Sequence, residues 1–448
     1  MTKDTIVRFA PSPTGFLHVG NIRAALFNYL FTKKNKGKYI LRIDDTDKLR
    51  SKQEYIDEII NDLNWLGIIP DETYNQSQRF HLYEDAINKL KNDGRLYPCY
   101  ETPEEIDIKR KLQISRKEAP VYDRESLNIS IEKKEKFEKE GRKPHWRFKL
   151  NDEEIKWNDL IRGPVHFDAM SLSDPVLIRE DGTLLYSLAS VVDDIDLGIT
   201  HIVRGEDHVS NTATHVQLFK ALGKNPSEIL FAHTSLMVDS SGQGFSKRIS
   251  SLSVGTLKKE GIQKESIKSH LARLGTSLPI EPILDDSILI ESFDFSSLSR
   301  APSKFSKEEL ISINTKILHL ISFDTIKDQL PKWVNEDMWN LLSKNIERIE
   351  DLNSWEDTFK SDKTFENILT KEEIDTLKKF KEYIFDEEIN EETWKKWTDI
   401  LKEKTGIKGK KLFMTLRKAI TGKEHGPEMK IILTKVPIEF IKKRLLTF

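Results

Sequence analysis

A histidine and a glycine near the start of the chain have the types and spacing of an anion site. His18 and Gly20 follow a segment broken by Pro11, Pro13 and Gly15, and they precede an apolar pattern of helical period. They therefore lie at a predicted helix N-terminus, where free backbone N–H groups and the positive end of the helix dipole attract anions. Gly20 lets a ligand approach the backbone, and His18 can offer a ring N–H to a phosphate oxygen. The segment predicts a nucleotide phosphate site.

A second chemically active group follows the next predicted strand, residues 39–43. Asp44, Asp45 and Asp47 place three carboxylates in four residues. Because unpaired carboxylates are costly in a core, we expect them to face a cleft. The alternative interpretation is a capped strand end with solvated acids.

The elements that must position these residues begin with alternating strand and helix patterns. That alternation predicts a doubly wound parallel sheet with its ligands at the carboxyl ends of the strands. Ser51 and Glu54 have the spacing of a capping box that opens a helix, and Gly67 ends that helix. The pattern becomes irregular over residues 101–181, which predicts an inserted domain, and it then resumes.

After about residue 256 amphipathic helical patterns dominate, which predicts an all-α C-terminal half. The predicted fold class is therefore an α/β Rossmann-like nucleotide-binding domain with an inserted α+β domain, followed by the helical half. Five tryptophans at core spacing in this half are expected to pack in helix-bundle cores rather than to stack on bases: Trp333, Trp339, Trp355, Trp394 and Trp397.

Composition limits the possible domain number, location and metal chemistry of the protein. The chain has 448 residues, enough for about three domains. No apolar run approaches the ~20 residues of a membrane span and the N-terminus is polar, so we expect a cytoplasmic protein. Cys99 is the single cysteine, which excludes an internal disulfide and argues against a thiolate zinc site. The net charge is −2, yet residues 401–448 carry thirteen Lys and Arg against four Glu, a local net charge of +9.

Several stretches resemble a known enzyme family. The sequence H-V-G-N at 18–21 resembles the first signature of class I aminoacyl-tRNA synthetases, in the form seen in glutamyl-tRNA synthetases. The sequence F-S-K-R at 245–248 resembles the second signature, a mobile loop whose lysines neutralise phosphate charge, although Gly244 replaces the first lysine. Similar stretches continue at 42–47, 186–194, 203–208 and 416–422. The chain is thereby identified as a member of the bacterial-type glutamyl-tRNA synthetases.

The resemblance implies roles for individual residues. His18 and Lys247 would be catalytic, stabilising charge on the phosphates. Arg8 would pair with the side-chain carboxylate of glutamate, while Ser12 and Asp44 would meet its amino group. The complete glutamate set would be Arg8, Ala10, Ser12, Asp44, Tyr186 and Arg204. The ATP set would be Pro11, Thr14, Gly15, His18, Gly20, Asn21, Asp207, Ser246, Lys247 and Arg248, and the tRNA contacts would include Arg417 and Lys418.

The implied reaction is the ATP-dependent ligation of L-glutamate to the 3′ end of tRNA(Glu) through a glutamyl-adenylate. Mg²⁺ would accompany ATP, no zinc is expected, no membrane is involved, and the protein is expected to be a monomer. Residues 1–100 and 182–238 would form the split catalytic domain and 101–181 would bind the acceptor end. Residues 239–315 would contact the tRNA stem and 316–448 would bind the anticodon.

Some residues in these stretches have simpler interpretations. Asp193 and Asp194 are expected to cap a strand and a helix. His208 and His215 are seven residues apart, without the spacing of a helical zinc site, so ordinary hydrogen-bonded histidines are favoured. Ser190 stands where family members often have Asn, so a contact there is expected to be lost or bridged by water.

Other functions remain open at this point. The same chain could charge tRNA(Gln) with glutamate as well, or be a glutaminyl-tRNA synthetase, towards which Asp44 points. It could be a paralogue that transfers glutamate to a modified tRNA base, a nucleotidyltransferase for a small metabolite, or an inactive RNA-binding paralogue in which Gly244 records lost catalysis.

Overall fold

The computed structural model describes residues 4–244, 252–383 and 388–447. The chain separates into two units. The first consists of Met1–Leu257 and Lys268–Ser306, and the second of Lys258–Ile267 and Lys307–Phe448. The described strands lie in the first unit. They are β1 (Ile6–Phe9), β2 (Lys38–Ile43), β3 (Glu72–Asn75), β4 (Leu96–Cys99), β5 (His145–Phe148), β6 (Glu154–Asp159), β7 (Gly163–Asp168), β8 (Val176–Ile178), β9 (His201–Gly205), β10 (Leu230–Thr234), β11 (Met237–Val238) and β12 (Ser303–Lys304).

A seven-stranded sheet in the order β3-β2-β1-β9-β10-β6-β7 forms the centre of the first unit. Its first six strands are parallel to their neighbours, and β7 runs antiparallel at the edge. The chain proceeds outward from β1 to β2 and β3 on one side, and from β9 to β10 on the other. The strand order therefore reverses between β1 and β9, which is where a doubly wound sheet opens a ligand crevice at its carboxyl edge.

The irregular segment divides between two sheets. β6 and β7 join the seven-stranded sheet, where β6 pairs with β10 through Asp159 and Phe231. β4, β5 and β8 form a separate antiparallel sheet. Two helices of the same segment, α4 (Pro103–Ser115) and α5 (Ile131–Lys139), have no fully buried residue. The boundaries 101–181 stay a prediction, and the structure ties part of that segment to the main sheet.

The helices of the first unit alternate with its strands along much of the chain. Their bounds are α1 (Val19–Lys34), α2 (Gln53–Leu66), α3 (Phe80–Asn92), α4 (Pro103–Ser115), α5 (Ile131–Lys139), α6 (Tyr186–Asp196), α7 (Val209–Ala221), α8 (Val254–Lys259), α9 (Lys264–Arg273) and α10 (Asp286–Ser292). The last two residues of α8 and the first four of α9 belong to the second unit.

The start of α2 differs from the predicted capping box. Lys52 is the N-cap residue and makes no side-chain cap, and the buried Ser51 hydroxyl has no hydrogen-bond partner among the described residues. The predicted cap is wrong because the helix begins one residue later than the Ser51 pattern requires. The other end is as expected, since Gly67 closes the helix with a left-handed φ of 75°.

The second unit is helical in its described part. Its bounds are α11 (Lys307–Leu320), α12 (Phe323–Ile326), α13 (Glu336–Leu342), α14 (Asn353–Lys360), α15 (Lys371–Phe380), α16 (Thr393–Thr405), α17 (Lys410–Thr421), α18 (Met429–Lys435) and α19 (Ile438–Leu446). Trp339, Trp355 and Trp397 are buried in its core as expected, whereas Trp333 and Trp394 are half-buried. Among the helices described in either unit, none is long and apolar enough to cross a membrane.

Candidate active site

A cleft of about 660 Å³ opens at the carboxyl ends of β1 and β9, at the point where the strand order reverses. Segments that follow β1, β9 and β10 form its walls together with the start of α1. It brings together most of the residues expected to bind ATP and glutamate: Arg8, Ala10, Pro11, Ser12, Thr14, His18, Gly20, Asn21, Tyr186, Arg204 and Asp207. Residues almost two hundred positions apart in sequence therefore share one wall.

His18 caps the helix that points at this cleft. Its Nδ1 accepts a hydrogen bond from the Gly20 N–H, and its own N–H donates to the Asn21 side chain. Because Nδ1 is an acceptor, the neutral ring carries its proton on Nε2. Burial lowers the pKa of His18 below its usual value, which favours that neutral form. The ring is therefore arranged to donate one N–H from the N-terminus of α1.

Two arginines in the cleft have different partners. Arg8 is buried and donates from Nε to Asp194 at 2.9 Å. Arg204 is also buried, but the partners of its side chain within the described residues are hydroxyl groups, of Tyr186 at 2.8 Å and Thr212 at 2.6 Å. Its Nε has no partner there. Burial lowers the pKa of Arg204, and the neighbouring positive charge of Arg8 adds to that effect. An anionic ligand would offset both the cost of burying the Arg204 charge and its repulsion from Arg8.

A buried ion network lies behind these arginines. The side chain of Arg42 is fully buried and donates to both oxygens of Asp44, to Asp194, and to the carbonyl and hydroxyl oxygens of Ser190. All five of its N–H groups are used. Burial opposes the charge of Arg42, yet Asp44 and Asp194 raise its pKa well above the ordinary value. The network fixes the floor of the cleft.

These contacts change the interpretation of three acidic residues. Asp194 is an ion-pair partner of Arg8 and Arg42, and Asp193 accepts hydrogen bonds from Arg79, Tyr83 and Gln76. The expectation that both residues are caps is therefore wrong, because the carboxylate of Asp194 pairs with two buried arginines and that of Asp193 pairs with Arg79. Asp44 itself is buried against Arg42 and does not line the cleft.

Ser190 also has a defined role. Its side chain is fully buried, and its hydroxyl accepts from Arg42 at 3.0 Å. The hydroxyl is thus engaged by the guanidinium. The expectation that the contact family members make through Asn is lost or bridged by water stays a prediction.

The segment that contains the second signature is described only on either side of residues 245–251. Ser246, Lys247 and Arg248 lie outside the described residues. Beyond them, the backbone of Ser253 forms an isolated antiparallel β-bridge with that of His18. The Val254 N–H donates to the Leu17 carbonyl at 3.1 Å. The chain on the carboxyl side of Lys247 is thus joined to the start of α1.

Two other residues predicted to bind ATP, Asp207 and Gly15, differ in position. Asp207 is exposed, 3.7 Å from the His208 ring, while Gly15 lies in an open turn, where an added side-chain carbon would meet no atom within 4 Å. Gly15 does not line the cleft.

The histidines near the cleft do not behave alike. His208 lies 3.4 Å from the Asn211 amide, so a hydrogen bond is present. His215 is fully buried beside the Tyr186 ring, and within the described ranges neither of its ring nitrogens has a partner. The expectation of ordinary hydrogen bonding is wrong for His215. Among the side chains that the structure describes, no group of three or more is suited to hold a metal ion.

The two predicted tRNA contacts lie in the second unit and are partly engaged. Arg417 is half-buried and donates to the Pro427 carbonyl. Lys418 pairs with Glu373 at 3.2 Å and Glu424 at 2.8 Å. Both are linked to neighbours within this unit.

Four buried residues that hold the cleft residues through hydrogen bonds were not predicted from the sequence: Arg42, Thr212, His233 and Asp159. A signal existed for Arg42, which stands between Leu41 and Ile43 in a buried strand and so required a compensating charge. The others carry no local signal because their partners are distant in sequence.

Comparison with known proteins agrees with this geometry. The family described as "tRNA synthetases class I (E and Q), catalytic domain" matches residues 4–312, and the family described as "Anticodon binding domain" matches residues 325–446. Together they account for both structural units.

Individual proteins are similar along the whole length. Glutamate–tRNA ligase 2 of Hyphomonas neptunium is 45% identical over 98% of this chain and 99% of its own. Glutamate–tRNA ligase 1 of Zymomonas mobilis is 47% identical over 98% of both. The crystal structure of a glutamate tRNA ligase from Elizabethkingia meningosepticum, in complex with its amino acid, has a TM-score of 0.83 at 27% identity, covering 99% of each chain. The chain belongs to the glutamate–tRNA ligase family of class I aminoacyl-tRNA synthetases.

Proposed function

We propose that this chain activates L-glutamate with ATP and transfers the glutamyl group to the 3′ end of tRNA(Glu). One observation carries the proposal: a single cleft joins a histidine-capped helix N-terminus to a buried arginine, Arg204, whose described side-chain partners are all hydroxyls. The first feature suits phosphate and the second suits a carboxylate. The names of the relatives from Hyphomonas neptunium and Zymomonas mobilis support the same activity.

At the amino-acid end, Arg8 and Arg204 would receive the side-chain carboxylate of glutamate. Two hydrogen bonds leave three N–H groups of Arg204 for a ligand, which suits a planar carboxylate. Tyr186 and Ala10 would complete the wall, while Ser12 would meet the amino group. Asp44 would act on that amino group through its field or a water, because Arg42 already holds both of its oxygens.

At the nucleotide end, His18 would donate its Nε2–H to a phosphate oxygen. The turn and helix start around it would hold the remaining phosphates and the nucleoside, through Pro11, Thr14, Gly15, Gly20, Asn21 and Asp207. Lys247, with Ser246 and Arg248, would stabilise charge at the α-phosphate. The bridge between His18 and Ser253 supports this pairing, because it ties the chain six residues beyond Lys247 to the phosphate end of the cleft.

The reaction would occur in two steps. An oxygen of the α-carboxylate attacks the α-phosphorus, and pyrophosphate leaves to give the adenylate. A ribose hydroxyl of the terminal tRNA adenosine, the 2′-OH in this class, then attacks the adenylate carbonyl and AMP leaves. Mg²⁺ would enter with ATP and supply charge neutralisation. The protein contributes positioning and preorganised positive charge, with no covalent enzyme intermediate.

Binding of tRNA would involve both units. The helical unit, with Arg417, Lys418 and the positively charged segment 401–448, would bind the anticodon, and the segment 101–181 would bind the acceptor end. The match of residues 325–446 to an anticodon binding domain supports the first assignment. Because Lys418 is already paired with two carboxylates, it would reach a phosphate only by exchanging Glu373 or Glu424.

Pyrophosphate–ATP exchange, measured with glutamate in the presence and absence of tRNA, tests the proposal. We expect exchange that depends on tRNA, and His18→Ala and Lys247→Ala should each raise its barrier by about 2–4 kcal/mol. Lys89→Ala, an exposed lysine on α3, serves as the control and should be unaffected. Exchange without RNA would indicate a small-molecule nucleotidyltransferase, and no exchange an inactive paralogue. Near wild-type exchange in either variant would remove that residue from the mechanism.

Several finer points stay predictions. Charging of purified tRNA(Glu) and tRNA(Gln) side by side, each with glutamate and with glutamine, decides whether tRNA(Gln) is also a substrate. The predicted monomer is tested by sedimentation, and the cytoplasmic location by fractionation of cells.

A further inference from the structure

A line of buried hydrogen bonds runs from Arg204 away from the cleft. The Nη2 of Arg204 donates to the Thr212 hydroxyl at 2.6 Å, and that hydroxyl lies 2.8 Å from the Nε2 of His233. The Nδ1 of His233 is in turn hydrogen-bonded to a carboxylate oxygen of Asp159. The four side chains are buried, and they come from β6, α7, β9 and β10. The line of hydrogen bonds therefore leads from β9 at the cleft, through a residue of α7, to β10 and β6.

The direction of these hydrogen bonds follows from the groups themselves. Arginine can only donate, so the Thr212 oxygen accepts. Burial lowers the pKa of His233, which leaves a neutral ring with its proton on Nδ1, facing Asp159. Nε2 then accepts the Thr212 hydrogen, since the alternative acceptor, the His208 carbonyl, is farther away at 3.2 Å. Each donor points from Arg204 towards Asp159, an arrangement in which the bonds strengthen one another.

Asp159 is held firmly at the far end. Its second oxygen accepts the backbone N–H groups of Ile161 and Arg162 at 3.0 Å and of His233 at 3.2 Å. The His233 ring lies nearly parallel to the Phe231 ring, with centroids 6.3 Å apart. Both the carboxylate and the imidazole are thus fixed by neighbouring backbone and rings.

This arrangement leaves the charge of Arg204 available. Arg8 and Arg42 contact carboxylates directly, which neutralises much of their charge. Within the described ranges no carboxylate pairs with Arg204, and the carboxylate at the end of its line of hydrogen bonds, Asp159, is two side chains away. A fixed guanidinium without a direct counter-ion is suited to bind a carboxylate ligand.

We propose that Asp159, His233 and Thr212 are positioning residues that orient the Arg204 guanidinium and thereby set the affinity for the amino-acid carboxylate. They act through Arg204 and do not touch the substrate. The inference rests on the proposed function, because it takes the ligand of Arg204 to be glutamate. It adds residues of β6, α7 and β10 that lie outside the cleft itself.

The test is Thr212→Val, which removes the hydroxyl and keeps the shape, with Thr212→Ser as the rescue. Steady-state exchange at varied glutamate and at varied ATP is measured with saturating tRNA. The valine variant should raise KM for glutamate about tenfold or more and leave KM for ATP within about twofold, since one charge-assisted hydrogen bond is lost. The serine variant should return KM for glutamate to near the wild-type value, and Asp159→Asn should raise it in the same selective way.

Wild-type exchange with glutamate distinguishes a failure of the proposed function from a failure of the positioning role. If the wild-type protein shows no exchange, the proposed function is contradicted before any variant is compared. Given wild-type exchange, an unchanged KM for glutamate in Thr212→Val, or an equal rise in both KM values, overturns the positioning role. Thr212→Ala gives the same comparison if the valine variant does not fold, and thermal unfolding of each variant confirms that folded protein was measured.

Discussion

The Nδ1 of His18 accepts the Gly20 N–H at 3.1 Å, so the histidine that caps α1 uses one ring nitrogen for the fold and leaves the other for a ligand. This relationship explains why position 20 is a glycine. A side-chain carbon there would lie 2.9 Å from Cε1 of His18 and 3.1 Å from Nδ1. The glycine makes room for the imidazole, in addition to any room it makes for a phosphate.

Gly20→Ala should therefore reduce adenylate formation by displacing His18. We expect a loss approaching that of His18→Ala, about 2–4 kcal/mol in the barrier, with the protein still folded. Pyrophosphate–ATP exchange with tRNA measures it. Gly255→Ala is a matched control, because its added carbon would meet only Glu58 at an ordinary 3.7 Å. Full exchange in Gly20→Ala would show that the imidazole can move without loss.

Arg42→Lys should destabilise the first unit, although the charge is kept. An ammonium cannot reproduce five donors to Asp44, Asp194 and Ser190, and it would leave buried carboxylates poorly paired. We expect a loss of about 3–5 kcal/mol in the free energy of unfolding, measured by urea denaturation. Arg50→Lys alters an exposed pair with Asp47 and should cost less than about 1 kcal/mol. Equal effects in the two variants would contradict a structural role for the network.

The sequence predicts the cleft well where the signal is local. The strand, turn and helix start around His18 lie within a few residues, so their pattern contains the needed geometry. The capping box at Ser51 shows the limit of such reasoning, because starting the helix one residue later removes the cap without altering the apolar stripe.

The sequence does not predict the residues that support the cleft, because they depend on contacts between elements that are distant in sequence. Arg42 and Asp194 are 152 residues apart, and His233 reaches Asp159 across 74. The packing of α6 on the sheet brings the first pair together, and the order of the strands β10 and β6 brings the second pair together. A short motif therefore predicts which residues line the cleft, while the residues that support them become evident only in the folded chain.

Histidines that are buried or half-buried should make the fold sensitive to acid. Burial, the main cause, lowers the pKa of His145 and His201 to about 4, and it lowers that of His215 well below its usual value. In the unfolded chain these groups bind protons below about pH 6.5, whereas in the folded protein they stay neutral. The unfolded state therefore takes up more protons, and the free energy of unfolding should fall as pH drops from 6.5 towards 4.

His201→Gln tests this expectation, since His201 lies beside the Phe31 ring with its Nδ1 2.8 Å from the Thr200 hydroxyl. Urea denaturation at about pH 7 and pH 5 should show a smaller loss on acidification in the variant than in the wild type. The exposed His319→Gln should keep the wild-type loss. An identical pH dependence in all three proteins would mean that His201 is protonated in the folded state.

The second unit depends on a different arginine. Arg444 is fully buried, and its five N–H groups donate to five backbone carbonyls, those of Asp357, Thr358, Ser361, Lys363 and Ile420. One side chain thus completes the hydrogen bonds of the end of α14, the segment after it and the end of α17. Helix ends leave carbonyls without partners inside the helix, so this arginine replaces water in the core of the unit.

Arg444→Met keeps most of the apolar volume and removes every donor, which leaves buried acceptors unsatisfied. We expect a loss of at least about 3 kcal/mol in the free energy of unfolding. Loss of helical signal on heating, followed by circular dichroism, measures it. Lys443→Met changes the adjacent residue, whose pair with Asp362 is exposed, and should leave the free energy of unfolding nearly unchanged. Equal stability of the two variants would show that water satisfies these carbonyls as well as the guanidinium does, and the helix ends would then need no internal donor.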